Sequence, residues 1–254
     1  MSHDFKMAES DLVVKAFVVS WVLPCCAIIF VLHFFKRKFK EIFSAVWAYL
    51  LNKTVPIVNK ATKRHKKKLF SELLDQRKDL GRDLMILEIG AGGGANFAFY
   101  PPKSNVTCLD PNRYFDAYLE VNSKKHRQRV NYLKGFAENM EMVESDMYDA
   151  VVCTLVLCSV RSTSKSLEEV RRVLKPGGKF YFLEHIAAEK GSLTGYFQGL
   201  LNPIWSFMSG CHITRETKQA VRRAGFARTR ITPFNGKFPF VFVIRPLCMG
   251  IATK

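Results

Sequence analysis

The chain has 254 residues, 48% of them hydrophobic and 24% charged, with a formal net charge of +17. This is the composition of a globular protein long enough for one substantial core plus an appendage, and it excludes a disordered or low-complexity chain. The charge is concentrated: residues 36–78 hold 13 Lys and Arg against only Glu41, Glu72 and Asp75.

Residues 12–35 read LVVKAFVVSWVLPCCAIIFVLHFF, interrupted only by Lys15 and His33. As a helix they would extend about 36 Å, against about 30 Å of bilayer hydrocarbon. Pro24 lies at the centre and would kink such a helix, so a tilted span and a re-entrant hairpin both remain open. The preceding MSHDFKMAESD is slightly acidic and no small-residue cleavage pattern succeeds it, which argues against a cleaved signal. KRKFK at 36–40 comes directly after the apolar segment, and the positive-inside rule places the rest of the chain in the cytosol. Basic residues beside an apolar segment favour an anionic lipid surface over nucleic acid. The basic run 60–68, KATKRHKKK, also lacks aromatics that could stack on bases. No nucleic-acid partner is expected.

Residues 41–51, EIFSAVWAYLL, predict an interfacial helix with Trp47 and Tyr49 at headgroup level, ended by Pro56. The stretch 60–76 predicts a helix with Leu69, Phe70, Leu73 and Leu74 on its apolar face. The expected organisation is an N-terminal membrane anchor (1–40), basic amphipathic lead-in helices (41–82) and a catalytic-type domain (83–254), with lipid contact through 12–51.

From residue 84 apolar runs and helical patterns alternate. Strands are predicted at 84–90, 105–111, 129–135, 149–157 and 179–185, and helices at 113–127, 138–144 and 163–175. Continuous apolar strands between helices predict a parallel sheet covered on both faces. LKPGG at 174–178 introduces the fifth strand, with Pro176 stopping the helix and the glycines turning the chain. Thr214 is the expected N-cap of a helix 215–224, closed by Gly225. FARTRIT (226–232) and FPFVFVIRPL (238–247) then predict two strands joined by a short turn containing Asn-Gly, and hence an antiparallel pair. Five parallel strands and a terminal hairpin are the count expected of a methyltransferase sheet.

ILEIGAGGGANF at 86–97 ends the first strand in an acid followed by four glycines, Gly90, Gly92, Gly93 and Gly94. Formally, Gly90-x-Gly92-x-x-Ala95 also fits a dinucleotide fingerprint. Glu88 discriminates. S-adenosylmethionine (SAM) carries a cationic amino group that an acid neutralises directly or through water, whereas a pyrophosphate would be repelled. Asp110 ends the second strand, where a carboxylate accepts both ribose hydroxyls; this supports a nucleoside without choosing one. In GFAENM (135–140) the backbone of Ala137 is expected to meet the adenine edge. Phe136 stands where an acid often reads the adenine amino group, and Glu138 takes that polar role.

Six strings identify a resemblance: ANFAFYPP (95–102), VTCLDPN (106–112), VVCTLVLCSV (151–160), EVRRVLKPGG (169–178), FYFLEHIAAE (180–189) and GCHITRET (210–217). They resemble the methyltransferase-like family 7 proteins over roughly residues 60–254. The family loop usually reads G-C-G-T-G-A-N-F; here Ala91 and Gly93 stand at its second and fourth positions, small changes that keep the three glycines. The resemblance implies an α/β fold of the class I SAM-dependent (Rossmann-like) type behind an N-terminal membrane-anchoring helix. It also implies SAM-dependent S-methylation of small, often lipophilic thiols, and residence at the endoplasmic reticulum membrane and lipid droplets. The expected cofactor set is Glu88, Gly90, Gly92, Gly94, Asp110, Pro111, Asn112, Ala137, Glu138 and Cys153.

Methyl transfer from a sulfonium is an in-line displacement, so the protein chiefly aligns the acceptor and excludes water. A thiol of pKa about 8.5 gains from a base without requiring a strong one. His185, just past the fifth strand, is the candidate base or thiolate orienter; the alternative is a loop histidine bonded to backbone. His212 is a second candidate, in a segment 187–214 expected to cap the substrate. Its aromatics Tyr196, Phe197, Trp205 and Phe207 suit a lipophilic pocket, the core or a membrane face equally. The seven cysteines include no C-x-x-C pair and no Cys/His cluster of zinc spacing, so they are expected to be reduced thiols with no metal. Two other readings stay open: O- or C-methylation of a lipophilic molecule, and a noncatalytic lipid-droplet protein. The oligomeric state is not legible.

Overall fold

A computed structural model describes residues 23–238 and 241–254. The chain divides into two units, residues 1–47 and 48–254. Residues 12–22 of the expected anchor lie outside the described residues. Among the described residues no helix is long and apolar enough to cross a membrane.

Helix α1 (Leu23–Leu80) is continuous, with Pro56 inside it. The predicted break at Pro56 therefore does not occur. Proline removes one backbone donor and costs a helix interior about 3 kcal/mol, but Pro56 is exposed, so water can serve the orphaned carbonyl. Packing beyond it holds the helix: Leu69, Phe70 and Leu73 are buried against the sheet. Full burial of such side chains contributes about 1.5–3 kcal/mol each. Gln76 adds a polar lock, accepting from the Tyr181 hydroxyl at 2.9 Å and donating to the Asp149 carbonyl at 2.9 Å.

The sheet has seven strands: β1 (Met85–Ile89), β2 (Asn105–Leu109), β3 (Arg129–Leu133), β4 (Tyr148–Thr154), β5 (Leu174–His185), β6 (Arg228–Asn235) and β7 (Pro246–Thr253). Their order is β3-β2-β1-β4-β5-β7-β6. The first five are mutually parallel, and β7 runs antiparallel to both β5 and β6. Helices α2 (Asp116–His126), α3 (Thr163–Val173), α4 (Leu193–Ser209) and α5 (Thr217–Arg223) complete the chain. Alternation along a strand sends Ile86 and Glu88 to the α1 face and Leu87 and Ile89 to the other. The buried side chains accordingly form one cluster with Leu69, Phe70 and Leu73, and another with Leu167, Val170 and Val173 of α3.

Three predicted elements are corrected. Residues 138–144 form turns, not a helix. β5 is assigned from Leu174, which pairs with Tyr148 before the register shifts to Ala150 and Lys179, so KPGG bulges out of the strand. The last strand is 246–253 rather than 238–247. Before it, Phe238 and Val243 are buried without pairing, and Phe242–Ile244 form a 3-10 turn. The antiparallel pairing of the last two strands is observed, but the Asn-Gly step is not its turn.

Candidate active site

The glycine loop leaves β1 at the C-terminal edge of the sheet, where open α/β sheets bind ligands. Gly90 has φ +60°, and a Cβ there would lie 2.4 Å from a Val156 methyl carbon. Gly94 has φ +80°, with its missing Cβ 2.6 Å from the Phe97 ring. Both positions need the left-handed conformation and the space that Val156 and Phe97 press into. Asp110 follows β2, and its two carboxylate oxygens accept from the backbone N–H of Gly92 at 3.0 Å and of Asn112 at 2.9 Å. Burial raises its pKa, opposed by these two N–H groups. Each oxygen keeps a lone pair, the capacity that a ribose diol requires.

Glu88 is 2% exposed. It accepts from the Asn96 amide at 2.8 Å and the Tyr100 hydroxyl at 2.8 Å. Burial pushes its pKa up to about 7, with those donors and Lys66 opposing. Lys66 reaches in from α1, donating to Asn96 Oδ1 at 2.7 Å and Asn59 Oδ1 at 2.8 Å. Burial lowers its pKa to about 8, with Glu88 opposing. Asn96 also donates to Thr154 Oγ1 at 2.9 Å. Glu88 is thus not a bare acid at the loop mouth. It ends a buried relay, Glu88–Asn96–Lys66, that binds α1 to the glycine loop.

Sequence reasoning did not assign Lys66, Asn59, Asn96, Tyr100 or Thr154. One signal for Lys66 was present: it falls on the same helical stripe as Leu69, Phe70 and Leu73, so the basic run 60–68 is not uniformly a solvated face.

The other expected cofactor residues divide. Ala137 is buried at 5% exposure, and Phe136 beside it is 53% exposed, with the Arg161 guanidinium 5.4 Å from its ring centroid. Glu138 accepts from the backbone N–H of Arg161 at 2.5 Å and Ser162 at 3.4 Å. It secures the start of α3 through Oε1 alone. Cys153 is fully buried, and its thiol donates to Glu184 Oε1 at 3.2 Å, so its side chain is a core group rather than a cofactor contact. Pro111 is exposed, and the Asn112 side chain accepts from Tyr114 N at 3.1 Å, shaping the loop beyond Asp110.

His185 ends β5 and is buried. Its carbonyl accepts from the Thr217 hydroxyl at 3.0 Å, Nδ1 lies 3.4 Å from Cys211 Sγ, and Nε2 is buried with no hydrogen-bond partner among the described residues. It is therefore not simply a loop histidine spent on backbone. Cys158, four residues past β4, completes a buried group in which the ligand atoms of Cys158, His185 and Cys211 all lie within 4.8 Å of one another. Sequence spacing does not foreshadow this group. His212 is half-buried and bonds the Cys158 carbonyl through its backbone N–H at 2.8 Å. Of the expected capping aromatics, Tyr196 and Phe207 of α4 face outward, which removes the core reading for both. Trp205 packs against the buried cluster formed by Cys158, Cys211, Ile213 and Val243.

Comparison with known proteins agrees with this geometry. A family model described as "Methyltransferase domain" matches residues 87–182. The human thiol S-methyltransferase TMT1A is 39% identical over 223 residues, covering 84% of this chain and 91% of that protein. The rat thiol S-methyltransferase TMT1B is 41% identical over 192 residues, covering 74% of this chain and 78% of its own. Among solved structures, a SAM-dependent methyltransferase of Thermotoga maritima superposes with a TM-score of 0.57 at 17% identity, covering 82% of this chain and 98% of that one. That likeness establishes the class I methyltransferase fold. The extent and level of identity to TMT1A and TMT1B, over a chain that carries the glycine loop and its two acids, make this protein a member of the thiol S-methyltransferase family.

Proposed function

We propose that this protein transfers the methyl group of SAM to the sulfur of small thiols, giving a methyl thioether and S-adenosylhomocysteine. The observation that carries the reading is the 39% identity spanning 91% of human TMT1A. The residues present fit the cofactor: the glycine loop offers backbone, Asp110 keeps acceptor capacity for a ribose diol, and the buried Glu88–Lys66 pair complements an amino acid moiety carrying both charges. When bound, SAM supplies a methyl group already activated by a sulfonium. The chain's own tasks are then to hold, to orient and to exclude water. His185 is the residue assigned to orient the acceptor thiol or take its proton. Turnover of the purified protein with SAM and matched thiol and phenol acceptors tests this. Methylation of thiols is the expected result, and methylation of the phenols alone would move the reading to oxygen.

The same proposal places the protein on the cytosolic side of the endoplasmic reticulum membrane and on lipid droplets, attached through residues 12–51. Phe39, Ile42, Phe43 and Val46 recur at helical spacing and are each at least half exposed, the pattern of an interfacial helix face. Imaging of a tagged full chain against one lacking residues 1–51 tests the placement, and an unchanged reticular and droplet pattern would refute it.

A further inference from the structure

We propose that Cys158, His185 and Cys211 form a site for a soft divalent metal of the zinc class, whose fourth position takes the sulfur of the acceptor thiol. The second half of this proposal rests on the thiol-methylation reading; the first does not.

The three ligand atoms converge within 4.8 Å, and all three residues are buried. The His185 Nδ1 to Cys211 Sγ separation is 3.4 Å. Zinc–sulfur and zinc–nitrogen bonds of about 2.3 and 2.05 Å at a tetrahedral angle give an edge of about 3.6 Å, so that pair already stands at near-ligand spacing. Hydrogen bonding does not use the group fully. A thiol is a weak donor and acceptor, so the 3.4 Å contact of Cys211 Sγ with His185 Nδ1 satisfies neither buried group strongly. Charge also fits burial. A divalent ion with two thiolates and a neutral imidazole has no net charge, which removes most of the cost of placing it inside a protein. Binding releases the two thiol protons to solvent.

Three protein ligands and one open position are the arrangement of catalytic rather than structural zinc. The cluster also stands beside the cofactor loop. Glu184, the residue before His185, accepts from Val156 N at 3.0 Å, and Val156 is the side chain that occupies the space against Gly90. An acceptor thiol entering the fourth position loses its proton to solvent and stays nucleophilic as a bound thiolate. Its sulfur forms the new bond to the methyl carbon, the methyl–sulfonium bond breaks, and that electron pair remains on the departing sulfur. The product thioether is neutral and a poorer ligand, so it leaves.

The test uses the full chain purified under reducing conditions after expression with zinc. Elemental analysis is expected to give close to one zinc per chain, surviving dialysis and falling to background in Cys158→Ser and Cys211→Ser. SAM binding by calorimetry on the same samples verifies that the variants fold. Cobalt exchanged into the site is expected to show the intense visible bands of a tetrahedral thiolate centre, and these should shift when a small thiol is added. Wild-type zinc at background, or zinc unchanged in both folded variants, would overturn the site. Cobalt bands indifferent to thiols would overturn the open position. Zinc-free protein that methylates thiols at the full rate sinks this proposal and leaves the proposed function standing. A loaded, thiol-responsive site without methyl transfer upholds the metal site and overturns both the proposed function and the acceptor role of the fourth position.

Discussion

Lys66 and Glu88 are two charged residues, each only 2% exposed, tied through Asn96. Such a pair costs desolvation and is held by hydrogen bonds, so deleting one partner strands the others. Lys66→Ala leaves Asn59 and Asn96 without their buried donor and should cost about 1–3 kcal/mol in denaturant unfolding. The direction of each shift sets the pH dependence. Glu88 has a folded pKa near 7, raised by burial above its ordinary 4.5. Its contribution to stability is therefore present below pH 4.5 and lost as pH rises through 7. A displacement of that size is worth roughly 3 kcal/mol at most. The melting temperature without SAM should fall between pH 5 and 8, and Glu88→Gln should flatten that slope. A cationic amino group favours ionised Glu88, so SAM affinity should rise over the same window in the wild type and not in the variant. Asp110 is simpler: Asp110→Ala removes a charged acceptor from the cradle and should weaken SAM binding by at least about 10–100-fold in calorimetry. Normal affinity would remove Asp110 from the site.

At the scale of elements, the glycine loop is set by what it cannot contain. Gly90→Ala imposes a left-handed alanine, costing about 1–2 kcal/mol, and a methyl 2.4 Å from Val156. It should lower the melting temperature and SAM affinity together, and Val156→Ala in the same chain should recover part of the stability by opening the space. Five strands and the helices α2, α3 and α5 were legible to within a few residues, because apolar runs between polar turns have few other uses in an alternating chain. The misreadings share a cause. Pro56 signals a stop, yet packing of the later turns carries the helix through. The run 238–247 is as apolar as a strand, yet Phe238 and Val243 within it are buried without pairing, while the less conspicuous PLCMGIAT pairs with β5 and β6. Local preference cannot tell burial in a loop from burial in a sheet.

For the whole molecule, the net charge of +17 and its concentration in 36–78 bear on surfaces rather than fold. Liposomes containing anionic lipid should retain the full chain at low salt and lose part of it at high salt. Replacing Phe39, Ile42, Phe43 and Val46 by serine should weaken retention at both salts. Retention that is unchanged by these replacements would place the lipid contact elsewhere. The sequence by itself determined the alternation of strands and helices, the glycine loop, Asp110 and the excess of basic charge, since each is written in contiguous residues whose spacing is the signal. Only the tertiary structure decided that Lys66 turns inward to Asn96, that Glu138 caps the start of α3 while Cys153 packs in the core, and that Cys158, His185 and Cys211 meet. Those groupings arise where strand ends and distant loops converge, and the distances that define them have no counterpart along the chain.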